Sequence, residues 1–230
     1  MQSFSKLILF TSLACSCLGA AEPTLAAREE RGMEDTAFYE VPLRCPAARG
    51  IGCGPLAKPI LLDLEKAPVV EEAWLDQAGE ILAVVWSKGT SPVARTSALG
   101  AITEKHAVSM EELSGQTRTS ALQSFRAREG WHRGADVDRL SEEEARVITE
   151  RMLHRLVAAA PTARSKVESL RPTLVDETRQ LLIETDLSEA ARAAYSDEVL
   201  SAARTHLTTQ EASALRDAMG LGLRPVGDEK

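Results

Sequence analysis

The sequence predicts an α+β protein in which a small sheet domain precedes a bundle of helices. Between Phe38 and Leu113, short apolar runs typical of strands alternate with two stretches of helical spacing. After Leu113 the apolar residues recur only at helical spacing. The composition agrees with this division. Apolar residues make up 44% of the chain and aromatic residues only 4%, which favours helices packed through small side chains.

The start of the chain, residues 1–21, is predicted to be a secretory signal peptide. Lys6 supplies an early positive charge, residues 7–10 are apolar, and small residues lead to Ala21. Such a stretch is too short to remain as a membrane-spanning helix. We therefore expect export to the bacterial periplasm or cell envelope, with residues 22–36 as a flexible tether.

Two cleavage sites fit this signal peptide. Residues 13–17, Leu-Ala-Cys-Ser-Cys, resemble the lipobox of bacterial lipoproteins, in which Cys17 would carry the lipid. Residues 19–21, Gly-Ala-Ala, fit ordinary signal peptidase equally well. The mature chain is thus expected to be either anchored by lipid or free of it. In both cases Cys15 is removed, and Cys17 is either removed or carries the lipid. Cys45 and Cys53 are therefore the cysteines of the mature chain whose sulfur atoms remain available for reaction.

The charge of the chain argues against nucleic-acid binding. The formal net charge is −7, and the sequence has no basic block that could displace counterions from phosphates. After the signal peptide no apolar run approaches the roughly 18 residues of a transmembrane helix. Attachment to a membrane is therefore expected only through a lipid on Cys17.

A strand, a loop and a helix open the predicted sheet domain. Residues 38–43 read as a short strand, and a proline near the end places it at a sheet edge or terminates it. The loop 44–54 carries both cysteines and three glycines, which reach backbone conformations closed to other residues. Pro55 suits the first turn of a helix. Apolar residues then follow at helical spacing until Pro68.

Three strands and a second helix complete this domain. Residues 69–75 and 81–86 are predicted strands, and the second is almost wholly apolar, as is usual for a central strand. Residues 97–105 are predicted to be helical and residues 107–113 to form a weak last strand. This order is that of the ferredoxin-like βαββαβ fold, one helical layer on a four-stranded antiparallel sheet. We assign residues 37–114 to it.

One set of residues is similar to a known family. The similarity is carried by Gly50-Ile51-Gly52-Cys53, Ile60, Leu64, Pro68, Val70 and Ala73-x-Leu75-Asp76 with Ala83-Val84-Val85. Their spacing resembles that of the heavy-metal-associated (HMA) domains of copper chaperones, metal-transport ATPases and mercury-binding periplasmic proteins. In that family a strand leads to G-M-T-C-x-x-C. The resemblance covers Phe38 to Leu113, one third of the chain, and implies a ferredoxin-like fold and soft-metal binding.

The sequence departs from the HMA pattern at the second cysteine of the motif. Leu56 stands there, so the two-thiolate site that the family implies is half missing. Cys45, eight positions before Cys53, is the candidate replacement, because a glycine-containing loop of that length can fold back to the helix start. A helix N-terminus is expected to favour thiolates. Two thiolates suit Cu(I) or another soft metal ion such as Hg(II).

A disulfide between Cys45 and Cys53 is the alternative. Exported proteins fold in oxidising compartments, where an even number of cysteines most often pairs. Closing this loop would stabilise the fold by about 2.6 kcal/mol in the chain-entropy model. A disulfide and a metal site share one geometry here, and the sequence leaves both open.

Residues 115–230 are predicted to form a helical domain. Helical spacing covers residues 116–128 and is broken by a glycine-flanked loop that contains Trp131 and His132. Three later helices begin with capping-box patterns, Ser141-x-x-Glu144, Asp186-x-x-Glu189 and Thr208-x-x-Glu211. The glutamates of the first box are expected in the first helical turn, where the helix dipole favours negative charge.

Two hypotheses of function result. The chain contains no G-x-S-x-G, P-loop or glycine-rich dinucleotide motif, so we do not expect an enzyme. One hypothesis is a cell-envelope protein that binds a soft metal ion through Cys45 and Cys53 and contacts another envelope protein through its helical domain. The other is a non-metal interaction module whose ferredoxin-like domain is stapled by a disulfide between the same two cysteines.

Overall fold

The structure is a computed structural model that describes residues 35–183 and 189–222. It combines helices with an antiparallel sheet, which confirms the α+β class. The predictions for the signal peptide, for lipidation of Cys17, for nearly all of the tether and for the capping box at Asp186 fall on residues outside the described ranges.

Five strands form one antiparallel sheet in the described part of the chain. They are β1 (Thr36–Glu40), β2 (Val70–Asp76), β3 (Ile81–Trp86), β4 (Glu111–Glu112) and β5 (Trp131–His132). Their order across the sheet is β4-β1-β3-β2-β5. Every neighbouring pair is antiparallel. Strand β3 lies at the centre, as its continuous apolar sequence predicts.

The fifth strand comes from a segment that the sequence predicts to be a loop. Trp131 and His132 pair with the end of β2. The indole of Trp131 packs edge-on against Phe38 and Phe125, with ring centroids 6.2 and 5.0 Å away. The prediction of four strands is therefore wrong. A two-residue strand has too little periodicity to show in a sequence, and burial of the indole decides its place.

Seven α-helices and one short 3₁₀ helix, Pro161–Lys166, lie within the described ranges. The α-helices are α1 (Gly54–Lys66), α2 (Pro92–His106), α3 (Gly115–Ala127), α4 (Asp138–Ala159), α5 (Val167–Ile183), α6 (Glu189–Ala203) and α7 (Thr209–Gly222). Helix α2 starts earlier than predicted because Ser91 caps it, its Oγ accepting the Ala94 N–H at 3.2 Å. None of these helices is long and apolar enough to cross a membrane.

Helices cover both faces of the sheet. Side chains along β3 alternate between the faces, so one strand serves two apolar layers. The first layer packs against α1 and α2. The second packs against α3, where the rings of Phe38 and Phe125 meet at 5.6 Å with an angle of 83°. The prediction of a single helical layer is therefore wrong.

The apolar core is continuous from the sheet into the later helices. Buried residues of α1 belong to the same cluster as those of α4 to α7. Lys58 of α1 also forms an ion pair with Asp138 of α4, at 2.8 Å. Residues on both sides of the predicted boundary between 37–114 and 115–230 thus share one core, and α3 and β5 pack on or pair with the sheet.

Two of the predicted capping boxes lie within the described residues, and one of them forms. Thr208 N–H donates to Glu211 Oε2 at 2.8 Å, and Glu211 N–H donates to Thr208 Oγ1 at 3.3 Å, which confirms this box. The box at Ser141 is wrong. Helix α4 already begins at Asp138, so Ser141 and Glu144 lie inside the helix, where both are buried.

Candidate thiol site

The loop that carries the two cysteines folds back on itself as a small hairpin. Cys45 N–H donates to the Ile51 carbonyl at 2.8 Å, and Cys53 N–H donates to the Leu43 carbonyl at 2.7 Å. An isolated antiparallel bridge lies between these two hydrogen bonds. Because side chains alternate between faces along extended backbone, Cys45 and Cys53 lie on the same face of the hairpin, on opposite arms.

The turn between β2 and β3 supports this hairpin. Gly52 N–H donates to the Gln77 carbonyl at 2.8 Å, and Leu43 N–H donates to the Gly79 carbonyl at 3.0 Å. Gly79 has a φ of 71°, and a Cβ at that position would lie 2.3 Å from the Leu43 carbonyl oxygen. Only glycine meets both conditions, so the sheet and the cysteine hairpin are held in register by backbone contacts.

The second cysteine ends the hairpin and begins helix α1. Cys53 is the N-cap residue, and Gly54 and Pro55 are the first helical residues. The Gly54 N–H, which has no partner within the helix, donates to Glu144 Oε2 at 2.9 Å. A Cβ on residue 54 would lie 2.1 Å from Ser141 Oγ. Glycine therefore allows the start of α1 to lie directly against α4.

Glu144 is the residue of this site that the sequence did not reveal. It is wholly buried, and its carboxyl group accepts the Gly54 N–H and hydrogen-bonds with the thiols of Cys45 and Cys53. Its carboxylate interacts electrostatically with both Cys45 and Cys53. One signal was present in the sequence. Glu144 lies four residues before Ile148 and eight before Met152, on the apolar stripe of α4 rather than on its polar face.

Both thiols are harder to ionise than in water. Burial, and after it the negative charge of Glu144, raises the pKa of Cys53 to about 12. The same two causes hold the pKa of Cys45 well above its ordinary value. Burial also raises the pKa of Glu144. The sequence prediction that the helix N-terminus would favour thiolates is therefore wrong. A helix dipole contributes only about 0.3–1 kcal/mol, whereas burial shifts a pKa by up to about 3–5 units.

The two cysteines are free thiols that point away from solvent. Cys45 is 7% exposed and Cys53 is 4% exposed, while Leu56, which stands where the HMA motif has its second cysteine, is 49% exposed. Cys45 and Cys53 are diagonal neighbours across the hairpin, where residues are typically about 7–8 Å apart and their Cβ atoms somewhat less. A disulfide needs Cβ atoms about 3.5–4.5 Å apart. Forming one would therefore require the arms of the hairpin to shift.

Helix α4 also holds the tip of the hairpin. Arg151 donates from Nη1 to the Ala47 carbonyl, 104 residues away in sequence. Together with the bond between Gly54 and Glu144, this places one contact from α4 between the two cysteines in sequence and one directly after Cys53. Access to the thiols therefore depends on how firmly the hairpin lies against α4.

A metal ion at this site would be held by the two sulfurs. Across residues 35–183 and 189–222, no group of three or more histidine, cysteine, aspartate or glutamate side chains could hold a metal ion. In this arrangement Glu144 is a buried neighbour of the thiols rather than a third ligand. Two buried sulfur donors match the preference of soft ions such as Cu(I) and Hg(II).

Comparison with known proteins adds no relative. No family model matches the chain, and neither a curated protein nor a solved structure matches it. The similarity to HMA domains thus rests on the residues quoted from the sequence, and the metal chemistry that it implies stays a prediction.

Proposed function

We propose that this chain is a cell-envelope protein that binds one soft metal ion, of the copper or mercury type, between Cys45 and Cys53. The observation that carries this proposal is the convergence of two free, buried thiols on one face of a small hairpin at the start of α1. Such a donor set is suited to soft cations and poorly suited to Mg²⁺ or Ca²⁺, which prefer oxygen ligands.

The proposal includes the fold of the unit that carries the site. We assign the first four strands with α1 and α2 to a ferredoxin-like unit of the HMA kind. The strand order β4-β1-β3-β2 and the position of α1 and α2 on one face of the sheet support this assignment. Helix α3 and strand β5 would then be additions that cover the second face and extend the β2 edge.

Binding requires the two thiols to lose their protons to solvent or to a buffer as the metal–sulfur bonds form. Because both thiols are buried, the metal must also enter beneath the hairpin. The energy for both steps comes from the strong preference of soft ions for thiolate. The helical part that holds the hairpin is the surface on which an envelope partner would act to open or close it.

The alternative function is a non-metal interaction module stapled by a disulfide between Cys45 and Cys53. An oxidising compartment favours this state. The diagonal placement of the two residues requires the hairpin to rearrange before a bridge can form. A count of free thiols together with a metal titration therefore distinguishes the two functions.

The test measures the number of free thiols in the protein and its binding of soft metal ions. Free thiols are counted in denaturant with and without mild reductant, and the reduced protein is titrated with Cu(I) and with Hg(II). For the mature protein, in which Cys45 and Cys53 are the cysteines with free sulfur, we expect two free thiols and about one bound ion. Cys53→Ser should abolish binding. A matched variant, Cys45→Ser combined with Leu56→Cys, restores the family spacing and should recover it.

Three results would overturn the proposal. They are unchanged metal binding in Cys53→Ser, a disulfide between Cys45 and Cys53 that resists mild reductant, and a reduced protein that binds neither Cu(I) nor Hg(II). The last two together would support the stapled interaction module. Far-UV circular dichroism on each variant shows that loss of binding does not come from loss of fold.

A further inference from the structure

We propose that a groove on the face of the sheet that packs against α3 binds a small molecule with a primary ammonium group on an unbranched apolar chain. The groove lies between α3 and one end of the sheet, and its volume is about 580 Å³. Ligand pockets commonly have volumes of this order. Neither Cys45 nor Cys53 lines the groove, so this site is separate from the proposed metal site.

The floor of the groove is a row of neighbouring residues across four strands. Glu40 of β1 lies opposite Ile81 of β3. Asp76 of β2 lies opposite Trp131 of β5. The Ile81 N–H donates to Asp76 Oδ1 at 2.8 Å, which connects the two pairs. Because neighbouring strands lie about 4.8 Å apart, the three gaps give the row a length of about 14 Å. An extended chain of several carbon atoms fits along it.

Helix α3 forms one wall of the groove, and its short side chains leave the space open. Ser120, Ala121 and Ser124 line the groove. Phe125 of the same helix instead packs against aromatic rings over the sheet. The indole N–H of Trp131 donates to Ser124 Oγ at 3.2 Å and so joins the wall to the floor.

The charged side chains that line the groove are all acidic, namely those of Glu40, Asp76 and Glu80. Glu80 forms an ion pair with Arg44 at 3.0 Å. Asp76 Oδ1 accepts the backbone N–H groups of Glu80 and Ile81. Glu40 is exposed, and no ion pair within residues 35–183 and 189–222 involves it. Exposed carboxylic acids are ionised at neutral pH. The groove therefore has one uncompensated carboxylate, at its β1 end.

The neighbouring strand adds to this negative charge. Glu111 of β4 lies directly opposite Glu40 in the sheet. Like charges in directly opposite positions repel each other and destabilise a sheet. A cation bound beside Glu40 would relieve this repulsion, so the charge of the site favours a positively charged ligand.

The lining of the groove favours an organic cation over a metal ion. Among the described residues, no group of three or more histidine, cysteine, aspartate or glutamate side chains could hold a metal ion. Beside Glu40 the groove instead offers apolar surface from Ile81, Leu113 and Ala121. An ammonium group can pair with Glu40 while its hydrocarbon chain covers these residues, which satisfies both the charged and the apolar part of the lining.

The test uses the mature, reduced protein at pH 7 and three probes that share a hexyl chain, hexylammonium, 1-hexanol and hexanoate. Binding is followed by NMR on isotope-labelled protein, with the indole N–H of Trp131 as a local reporter because it lies at the groove. We expect hexylammonium to bind most tightly and hexanoate most weakly. Added NaCl should weaken the binding of hexylammonium and have little effect on 1-hexanol, because salt screens exposed charges.

Glu40→Gln removes the charge of the site and keeps the size of the side chain. The matched control is Glu112→Gln on β4, because Glu112 lies opposite Tyr39 and does not line the groove. The dissociation constant of hexylammonium should rise about fivefold in Glu40→Gln, which corresponds to about 1 kcal/mol. It should change less than about twofold in the control. Both variants should bind 1-hexanol as the wild type does, which a loss of structure would not preserve.

A second variant fills the groove and leaves its charges in place. Ser120→Leu introduces a larger side chain at an exposed helical position, where leucine is a good helix former. We expect it to weaken the binding of both hexylammonium and 1-hexanol. Gln123→Leu is the matched control, since residue 123 is exposed on the same helix and does not line the groove. This pair keeps the proposal testable if Glu40→Gln disturbs the sheet.

Three results would overturn the proposal. They are a wild-type protein that binds none of the probes, equal affinity for the three probes, and equal effects of Glu40→Gln and Glu112→Gln on the binding of hexylammonium. None of these results bears on metal binding by Cys45 and Cys53, so the proposed function stands or falls by its own experiment.

Discussion

Replacing Gly54 with alanine perturbs the contact between α1 and α4 on which the candidate site depends. The new Cβ would lie 2.1 Å from Ser141 Oγ, 3.1 Å from Ser141 N and 3.2 Å from Ser141 Cβ. The hydroxyl can rotate away, but the nitrogen and Cβ move only if α4 moves. We therefore expect the two helices to separate and the hydrogen bond from Gly54 N–H to Glu144 to weaken.

Three contributions set the size of the effect. Overpacking a close contact costs about 1–3 kcal/mol. Weakening a hydrogen bond to a buried charged group costs about 1.5–3 kcal/mol. Alanine in place of glycine in a helix stabilises the folded state by about 0.5–1 kcal/mol, which offsets part of this cost. The free energy of unfolding should therefore fall by about 2–5 kcal/mol in Gly54→Ala.

The assay is urea unfolding followed by far-UV circular dichroism on reduced protein. The control is Gly100→Ala in α2, where a Cβ meets nothing within 4 Å. This control should gain about 0.5–1 kcal/mol. Adding Ser141→Ala to Gly54→Ala should recover part of the loss, because it removes the nearest atom. If Gly54→Ala lies within about 0.5 kcal/mol of wild type, the close contact between the helices does not exist as described.

Two further predictions concern the aromatic residues. Burial raises the pKa of Tyr195 and of Tyr39 to about 12, so both phenols keep their protons in the folded protein after the unfolded chain begins to lose them near pH 10. The contribution of the two tyrosines to stability should be full below pH 10 and fall towards pH 12. Tyr195→Phe should therefore flatten the fall over this pH range in urea titrations at several pH values, and identical slopes would contradict this. Phe125→Ala should cost about 3–5 kcal/mol because the ring is wholly buried between aromatic neighbours. Val93→Ala, 80% exposed, should stay within about 0.5 kcal/mol, and equal losses in the two variants would refute the packing.

Elements with strong local signals were predictable. The predicted strand at residues 81–86 coincides with β3, because a continuous apolar run between turns suits a central strand. Helix α1 ends before Pro68, as predicted. The capping box at Thr208 forms with both of its hydrogen bonds. In each case the interacting groups lie within a few residues of one another, so the sequence contains the whole interaction.

Elements that depend on distant partners were not predictable. Strand β5 exists because the end of β2 offers an unpaired edge and because Trp131 is buried against Phe38. The pattern at Ser141 satisfied the local rule for a helix start, yet the helix begins at Asp138. Burial of Ser141 against α1 outweighed a capping interaction that a surface helix would have formed.

The features of the candidate site also fall into those that the sequence predicts and those that depend on distant partners. By itself, the sequence determined that Cys45 and Cys53 lie at the two ends of a glycine-containing loop before a helix, since loop length and glycine content are local properties. Only the tertiary structure decided that Glu144, 90 residues after Gly54, lies beside the two sulfurs. It also decided that both thiols are buried and hold their protons, because solvation and charge at a site are set by whatever the rest of the chain packs against it.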